Sequence, residues 1–427
     1  MLKRIIAIAF IFGCTSIAWF ILGGTVSIRS QEQHAELRNA VGDLWGGPQL
    51  QQAPTVERFV PFQDEEVSRL DNGQVVTKTV ERIRPERHPL AGSNLKVNLA
   101  LEHRKKGLIW YPTYEVDFDG RYRIHNDGEE TERYRVTYDF PGGAPVLADF
   151  RFSVDGQKIS DAAVENGRAV REIEIEPGET ASFRVGYRSQ GVETWRYGFG
   201  ERVQQVRDFH LDLKTDFAKI DFPPGTLAAT KKVRTDDGWT LSWDYAHLVA
   251  DAGLGMALPN KLNPGPWVSR VTFFAPVSLF LFFFILFLLS LMRGIRLHPM
   301  HYFFLGASFF AFHLLLSYLV DHISVHAAVA ICSLVSVGLV VSYMRLVTGA
   351  RFALFEVGLA QLVYLVGFAY TFFLEGWTGL TVTALCIVTL FGVMQLTGRV
   401  DWEHLFQRPN EKPTRLGPQA AASPAVK

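Results

Sequence analysis

Residues 271–292 read VTFFAPVSLFLFFFILFLLSLM, a run in which no residue carries a charge. A helix of about 20 apolar residues spans the hydrocarbon core of a bilayer. A helix of this length in a soluble protein normally keeps a polar face, and this run has none. The sequence therefore predicts that residues 271–292 cross a membrane.

Five other segments share this apolar composition and predict further spans. They are residues 5–26, 302–320, 327–344, 352–374 and 379–396. Lys3 and Arg4 precede the first segment, which is too long for the apolar core of a signal peptide and has no clear cleavage site after it. We therefore expect an uncleaved anchor and a bundle of six transmembrane helices.

The flanks of these segments indicate their orientation, because cytoplasmic loops are enriched in Lys and Arg. Basic residues flank alternate ends of the spans: Lys3, Arg4, Arg293, Arg296, Arg345, Arg351, Arg399, Arg408, Lys412 and Arg415. The two short loops at the opposite ends contain Asp321, His322, His326 and Glu375 but no Lys or Arg. The pattern predicts cytoplasmic N- and C-termini and an extracytoplasmic region between the first two spans.

The overall formal charge is zero, with 43 Lys and Arg residues against 43 Asp and Glu residues. This balance argues against a polybasic nucleic-acid-binding protein, so we expect no nucleic-acid partner. The three cysteines, Cys14, Cys332 and Cys386, all lie in apolar segments. They are expected to be small packing residues rather than members of a disulfide framework.

Alternating apolar and polar residues dominate the region between the first two spans. Residues 239–245 (WTLSWDY) place four large side chains on one face of a strand, and similar alternation recurs through the region. Asn-Gly and Asp-Gly pairs follow these runs at hairpin positions, for example at residues 155–156. The pattern predicts an all-β, antiparallel, sandwich-like extracytoplasmic domain, built as one large sandwich or two smaller ones.

Changes in composition along the chain predict the domain organisation. We expect an N-terminal transmembrane anchor at 1–28, a helical stalk at 29–50, a β domain at 51–250, a Gly- and Pro-rich linker at 251–267, a five-helix transmembrane bundle at 268–398 and a partly disordered cytoplasmic tail at 399–427.

The sequence contains none of the common catalytic or cofactor-binding motifs that we sought. No Gly-rich phosphate loop, Cys-x-x-Cys pair, His-Glu-x-x-His motif or Gly-x-Ser-x-Gly motif occurs. His298 and His301 flank Pro299, and His322 follows Asp321, but histidines in loops are common and need not bind a metal. We therefore expect no catalytic residues, no cofactor and no metal site.

Two ionisable residues lie inside predicted spans, where an unpaired charge is costly. Glu356 lies about one turn into the fifth span, and His313 lies near the middle of the third. One interpretation is that Glu356 reaches the inner surface or pairs with Arg351 or Arg345, while His313 is a neutral contact between helices. The alternative is that Glu356 and His313 belong to a proton or substrate pathway.

Several short stretches resemble a known family. The stretch RLHPMHY at 296–302 includes Arg296, His298 and Pro299, and the span after it ends at Asp321 and His322. The last span is followed by RVDW, which includes Asp401 and Trp402. Looser similarity extends to 47–49, 104–110 and 222–243. Together these stretches resemble the CreD family of bacterial inner-membrane proteins.

The resemblance implies an N-terminal anchor, a large periplasmic domain and a C-terminal helical bundle, which agrees with the prediction from hydropathy. It also implies a multi-pass protein of the bacterial inner membrane with a role in cell-envelope integrity and envelope stress. In some members that role is linked to β-lactam and colicin responses through a two-component system. The resemblance carries no catalytic residues over to this chain.

The hypothesis we favour is a non-enzymatic inner-membrane protein that supports envelope integrity. Its β domain would bind or sense a periplasmic protein, a lipid or a glycan, and basic, aromatic stretches such as 195–197 (WRY) could contact a glycan or a lipid headgroup. The alternative is an ion- or proton-coupled transporter that uses Glu356 and His313. A third hypothesis is a membrane enzyme that uses Asp321, His322 and Glu375.

Overall fold

The computed structural model describes residues 2–69, 75–107, 109–144, 146–158, 163–165, 167–200 and 204–398. The chain divides into two compact units. The helical unit comprises Met1–Ser30 and Pro264–Lys427, and the β unit comprises Gln31–Asn263. The predicted tail at 399–427, with Asp401 and Trp402, lies outside the described residues.

Six helices in the described part of the chain are long and apolar enough to cross a membrane, and each contains one predicted span. They are α1 (Leu2–Trp45), α2 (Pro264–Met292), α3 (Pro299–Leu319), α4 (Val325–Thr348), α5 (Phe352–Phe373) and α6 (Thr378–Thr397). The prediction of six apolar helices is therefore confirmed.

Local sequence explains where α3 and α4 begin. His298 precedes α3, and its Nδ1 atom accepts a hydrogen bond from the backbone N–H of Met300 at 3.3 Å. Pro299 occupies the first helical position, where the missing N–H has no intrahelical acceptor in any case. Ser324 caps α4 in the same way through the N–H of Ala327. Both predicted loops thus end in a residue type that starts a helix.

Helix α5 is irregular, with π-helical turns at Phe352–Val357 and Leu362–Gly367 and a 3₁₀ turn at Thr371–Phe373. Side chains of α2 donate to two of its carbonyl groups. Ser278 Oγ donates to the carbonyl of Tyr364, and Trp267 Nε1 donates to that of Phe372 at 3.1 Å. These hydrogen bonds satisfy backbone groups in a segment that is expected to lie in lipid, where water is scarce.

The described residues of the β unit form seventeen strands. They are β1 (Gln49–Gln52), β2 (Thr55–Arg69), β3 (Val75–Arg87), β4 (Gly92–Lys106), β5 (Ile109–His125), β6 (Glu132–Asp139), β7 (Ala148–Val154), β8 (Gln157–Lys158), β9 (Ala163–Glu165), β10 (Arg168–Ile175), β11 (Thr180–Val192), β12 (Thr194–Gly198), β13 (Gln204–Thr215), β14 (Thr226–Leu227), β15 (Lys231–Arg234), β16 (Trp239–Ala250) and β17 (Gly253–Ala257).

The strands form three sheets. The largest has the order β15-β16-β13-β4-β5-β11-β7-β8, the second β3-β2-β6-β10-β9 and the third β1-β12-β17-β14. Most pairs are antiparallel, but β4 with β13, β1 with β12 and β14 with β17 are parallel. The predicted antiparallel pairing is therefore found for most pairs, but not for these three. Alternation of apolar and polar residues shows which face of a strand is buried. It does not show whether the strand pairs in parallel or antiparallel with another strand that is remote in the chain.

One hydrophobic core contains residues of all three sheets. Its members include Leu95 and Phe118 of the largest sheet, Tyr134 of the second, and Trp195 and Leu254 of the third. In the stretch at 239–245, Leu241 and Trp243 are fully buried, while the two flanking aromatic residues pack against the core from its edge. The three sheets therefore share one large core.

The segment predicted as a linker, 251–267, contains strand β17, which pairs with β12 and β14. Two glycines of β17 allow this strand to lie close to β12. A Cβ atom at Gly253 would lie 2.5 Å from the carbonyl oxygen of Tyr197, and one at Gly255 would lie 2.7 Å from that of Trp195. A Gly-rich stretch is typical of a flexible loop or of two backbones that lie close together. Here the glycines allow the backbones of β17 and β12 to lie close together.

The predicted stalk is helical up to Trp45 and packs against strands of the β unit. Val41 forms a small buried cluster with Ile109 and Tyr111, and Leu37 and Trp45 lie against it. Lys106 donates to the carbonyl of Ala40 at 2.8 Å. This part of α1 is therefore packed onto the β unit.

Candidate functional site

Glu356 forms an ion pair with Arg293, with 2.7 Å between Glu356 Oε1 and Arg293 Nη2. The pair joins the end of α2 to the first turn of α5. The sequence suggested Arg351 or Arg345 as the partner, and both of these residues are exposed. The difference arises because the packing of α2 against α5, which is not visible in local sequence, brings Arg293 to the carboxylate.

His313 is buried near the middle of α3, with 2 % of its surface exposed. Its Nδ1 atom lies 2.9 Å from the carbonyl oxygen of Phe309, and its ring meets that of Trp19 edge-on at 5.7 Å. At 1.5 Å per residue, His313 lies roughly 15 Å further along the bundle than Glu356. The two candidate pathway residues therefore make separate contacts.

Asp321 lies at the other end of the bundle and pairs with Arg29 of α1 at 3.3 Å. The same guanidinium donates to the carbonyl of Ser317 at 3.0 Å. His326 stacks on Phe373 at 4.4 Å. Among the described residues, no group of three or more His, Cys, Asp or Glu could hold a metal ion. Asp321 thus links α1 to α3 through Arg29.

The stretch at 296–302 lies at the start of α3. Arg296 and His298 are exposed, and Leu297 between them is buried. His301 Nδ1 lies 2.7 Å from the hydroxyl oxygen of Tyr343 on α4. These contacts, with the cap at His298, give the stretch a role in the start of α3 and in its packing.

A buried polar group lies between α4 and α5. Gln361 is fully buried, and its Nε2 atom donates to Ser336 Oγ at 2.9 Å. Ser336 Oγ in turn donates to the carbonyl of Ser308 at 2.9 Å. Gln361 Oε1 has no hydrogen-bond partner within the described residues. Gln361 and Ser336 therefore link α3, α4 and α5, and within the described residues the amide oxygen of Gln361 accepts no hydrogen bond.

Replacing Gln361 with methionine should change the free energy of unfolding by less than about 1 kcal/mol, because the lost hydrogen bond is offset by removal of an unpaired buried carbonyl. The measurement is SDS-induced unfolding of the full-length protein in mixed micelles. A cost above about 2 kcal/mol would contradict this balance and would indicate that the amide has a further partner.

The β unit contains a cleft that the sequence did not predict. Its volume is about 210 Å³, and strands from all three sheets line it. Aromatic residues of β12, β13 and the turn after β12 form the floor: Tyr197, Phe199 and Phe209. The polar lining includes Gln52, His88, Ser93 and Asp139, and the exposed Arg87 and Arg207 also contribute.

Each polar group of this cleft has a defined state. Burial lowers the pKa of His88, so its ring is neutral near pH 7, and His88 Nε2 lies 3.0 Å from the carbonyl oxygen of His125. Asp139 forms an ion pair with Arg168 at 3.6 Å. Gln52 Oε1 is buried and has no hydrogen-bond partner in the described part of the chain. This oxygen has almost no exposed surface, so an acceptor that a ligand in the cleft can reach is the Asp139 carboxylate, whose side chain is 47% exposed.

No sequence signal could have found this cleft. Its polar residues come from strands and turns that are distant in the chain, and only the pairing of the sheets brings them together. Tyr197 belongs to the basic, aromatic stretch at 195–197, which suggested contact with a glycan, but its side chain is almost fully buried. Tyr122 and Tyr134, in the similar stretches 121–123 and 133–135, are also almost fully buried. In these stretches the tyrosines face the core and the arginines alternate with them.

A second polar cluster on β13 and β16 centres on His210. The ring lies between Asp244, which contacts Nδ1, and Asp212, whose carboxylate is 3.1 Å from Nε2. Burial lowers the pKa of His210, but the hydrogen bonds to the two carboxylates raise it by more, so that the net pKa lies above 6.5. The cluster stabilises the protonated ring.

This cluster predicts a pH-dependent contribution to stability. A raised pKa in the folded state means that the contribution is fully present below pH 6.5 and is lost as the pH rises through the folded pKa. His210→Gln should therefore cost about 0.5–1 kcal/mol at pH 5.5, a value reduced by partial exposure, and less at pH 9. Denaturant unfolding at both pH values measures this, and an equal cost at both would contradict the prediction.

The chain is similar in sequence to known inner-membrane proteins. A sequence model of the family described as "Inner membrane protein CreD" matches residues 230–403, which include the RLHPMHY stretch and extend from β15 through α6. The Inner membrane protein CreD of Escherichia coli strain K12 is 25% identical, over 91% of this chain and 91% of that protein. The chain is similar to the CreD family over these residues. The residues that line the cleft precede the CreD-matched region.

Among solved structures, a candidate nutrient-binding protein from Legionella pneumophila matches 55% of this chain and 77% of its own. The identity is 10% and the TM-score is 0.30. A similarity at this level carries no argument about fold or ligand.

Proposed function

We propose that this protein supports cell-envelope integrity in the bacterial inner membrane, and that its β unit is a periplasmic, sandwich-like domain that binds or senses an envelope component. The observation that carries the proposal is the cleft at the junction of the three sheets, in a β unit that shares its chain with six apolar helices. The distribution of Lys and Arg supports cytoplasmic termini. The proposal involves no catalysis and no cofactor.

The test is a deletion strain of the native bacterium. Loss of the gene should raise sensitivity to detergent and to a β-lactam, and the wild-type gene supplied in trans should restore resistance. A control plasmid that carries Val233→Ala, an exposed position on β15, should restore it equally well. A deletion strain that matches its parent under every envelope stress would contradict the proposal.

The transporter hypothesis has less support from the contacts described above. A coupled pathway needs ionisable groups that can exchange ions or protons along a route. Glu356 lies next to Arg293, and His313 bonds to the backbone of its own helix. If Glu356→Gln and His313→Ala leave the envelope phenotype intact at normal protein levels, the transporter hypothesis fails.

A further inference from the structure

The cleft at the junction of the three sheets is small. Pockets for drug-sized ligands are usually about 300–1,000 Å³, and this cleft, at about 210 Å³, is below that range. A lipid chain or a protein helix would not fit within it. A single ring with short polar substituents would, provided that the remainder of the ligand extends into solvent.

The floor of the cleft favours a ring with an apolar face. Phe199 is half-buried, and its ring meets Phe209 edge-on at 5.0 Å and Tyr197 edge-on at 5.8 Å. These two contacts hold the Phe199 ring in place, so that stacking on it costs little conformational entropy. A sugar ring has an apolar face of C–H groups that can pack against such an aromatic ring.

The polar groups of the cleft favour hydroxyl groups as their partners. The Asp139 carboxylate accepts hydrogen bonds, and the exposed guanidinium groups of Arg87 and Arg207 donate them. A hydroxyl group both donates and accepts, so an arrangement of several hydroxyls can satisfy such a mixed set. A phosphodiester offers acceptors alone and would give the Asp139 carboxylate no donor.

The charges of the lining disfavour a cation. Arg87 and Arg207 repel it, and the Asp139 carboxylate is already paired with Arg168. The neutral ring of His88 adds no net charge. A lipid headgroup that carries a phosphate would meet the Asp139 carboxylate, whereas an uncharged sugar ring would meet both kinds of group through hydrogen bonds.

We propose that this cleft binds one uncharged sugar ring of an envelope glycan. The inference rests on the proposed function, because the β unit must face the envelope to meet such a ligand. Phe199 would stack on the ring, Asp139 would accept hydrogen bonds from its hydroxyl groups, and Arg87 and Arg207 would donate hydrogen bonds to them. Two envelope polymers could supply such a ring: peptidoglycan and the core oligosaccharide of lipopolysaccharide.

The experiment measures sugar binding to the full-length protein in a micelle of a detergent without a sugar headgroup. The probes are N-acetylglucosamine, glucose and inorganic phosphate, followed by soluble peptidoglycan fragments and deacylated core oligosaccharide. Saturation-transfer NMR reports binding, and titration gives the affinity. We expect saturable binding of at least one sugar and none of phosphate. The two polymer fragments then identify the source.

Two variants test the location of the site. Phe199→Ala should weaken sugar binding at least tenfold, and Asp139→Ala should weaken it by a smaller factor. Phe222→Ala is the matched control, since Phe222 is also a partly buried aromatic residue at the edge of the core but does not line the cleft. It should bind as the wild type does. Circular dichroism and the unfolding midpoint verify that each variant is folded.

The outcomes separate this inference from the proposed function. Binding of phosphate but no sugar, the absence of saturable sugar binding, or unchanged binding in folded Phe199→Ala would overturn the inference. If folded Phe199→Ala also restores envelope resistance in the deletion strain, the envelope function stands without the sugar site. If sugar binds in the cleft but the deletion strain has no phenotype, the binding site stands and the proposed function fails.

Discussion

Replacing Trp243 with alanine should lower the free energy of unfolding of the β unit by about 3–5 kcal/mol. The Trp243 side chain is fully buried in the core that the three sheets share, and its Nε1 atom donates to the carbonyl of Leu227 at 3.0 Å. Phe222 contacts it edge-on at 6.2 Å. Because domains are stable by only about 5–15 kcal/mol, this loss removes a large share of the total.

The measurement is chemical denaturation of the full-length protein, followed by limited proteolysis of the β unit. Trp239→Ala is the matched control, since Trp239 lies on the same face of β16 but is only partly buried, with Nε1 bonded to the carbonyl of Ala218 at 2.8 Å. Its cost should be clearly smaller. Equal losses of unfolding free energy for the two substitutions would contradict the deeper burial of Trp243.

Replacing Arg293 with alanine should destabilise the helical unit by about 1.5–3 kcal/mol, the usual net value of a hydrogen bond to a charged group. The Arg293 side chain is 63% exposed but that of Glu356 only 18% exposed, so the substitution leaves a largely enclosed carboxylate without its partner. The measurement is SDS-induced unfolding in mixed micelles.

Arg351 provides the control for this experiment, since the sequence suggested it as the partner of Glu356. Arg351→Ala should change the free energy of unfolding by no more than about 0.5 kcal/mol, as is usual for an exposed residue. The exchanged pair, Arg293→Glu with Glu356→Arg, should recover part of the loss. A larger cost for Arg351→Ala than for Arg293→Ala would show that the assigned ion pair is wrong.

The apolar helices could be predicted because a membrane span depends on local composition. The run at 271–292 needs only its own residues to be identified, and the same holds for the other five segments. The start of α3 was equally local, since His298 and Pro299 fix it. The partner of Glu356 depends instead on how α2 packs against α5, and the π-helical turns of α5 leave no clear mark in its sequence.

The β unit divides in the same way between local and long-range information. Alternation at 239–245 correctly identified one buried face, with Leu241 and Trp243 inside. The parallel pairing of β4 with β13 depends on two segments far apart in the chain. The cleft depends on such pairings throughout, since Gln52, His88 and Phe199 share no motif. A single sequence therefore predicts which face of a strand is buried, but it does not predict the cleft that the strands form together.

The central claim is that six spans hold the β unit on the periplasmic side of the inner membrane. The direct test uses a chain in which Cys14, Cys332 and Cys386 are replaced by alanine and one new cysteine is introduced. The two positions are Val233→Cys on β15 and Arg296→Cys between α2 and α3, both exposed. A membrane-impermeant maleimide is applied to intact spheroplasts. We predict that Val233→Cys is labelled at once and that Arg296→Cys is labelled only after the membrane is permeabilised; the reverse pattern would contradict the account.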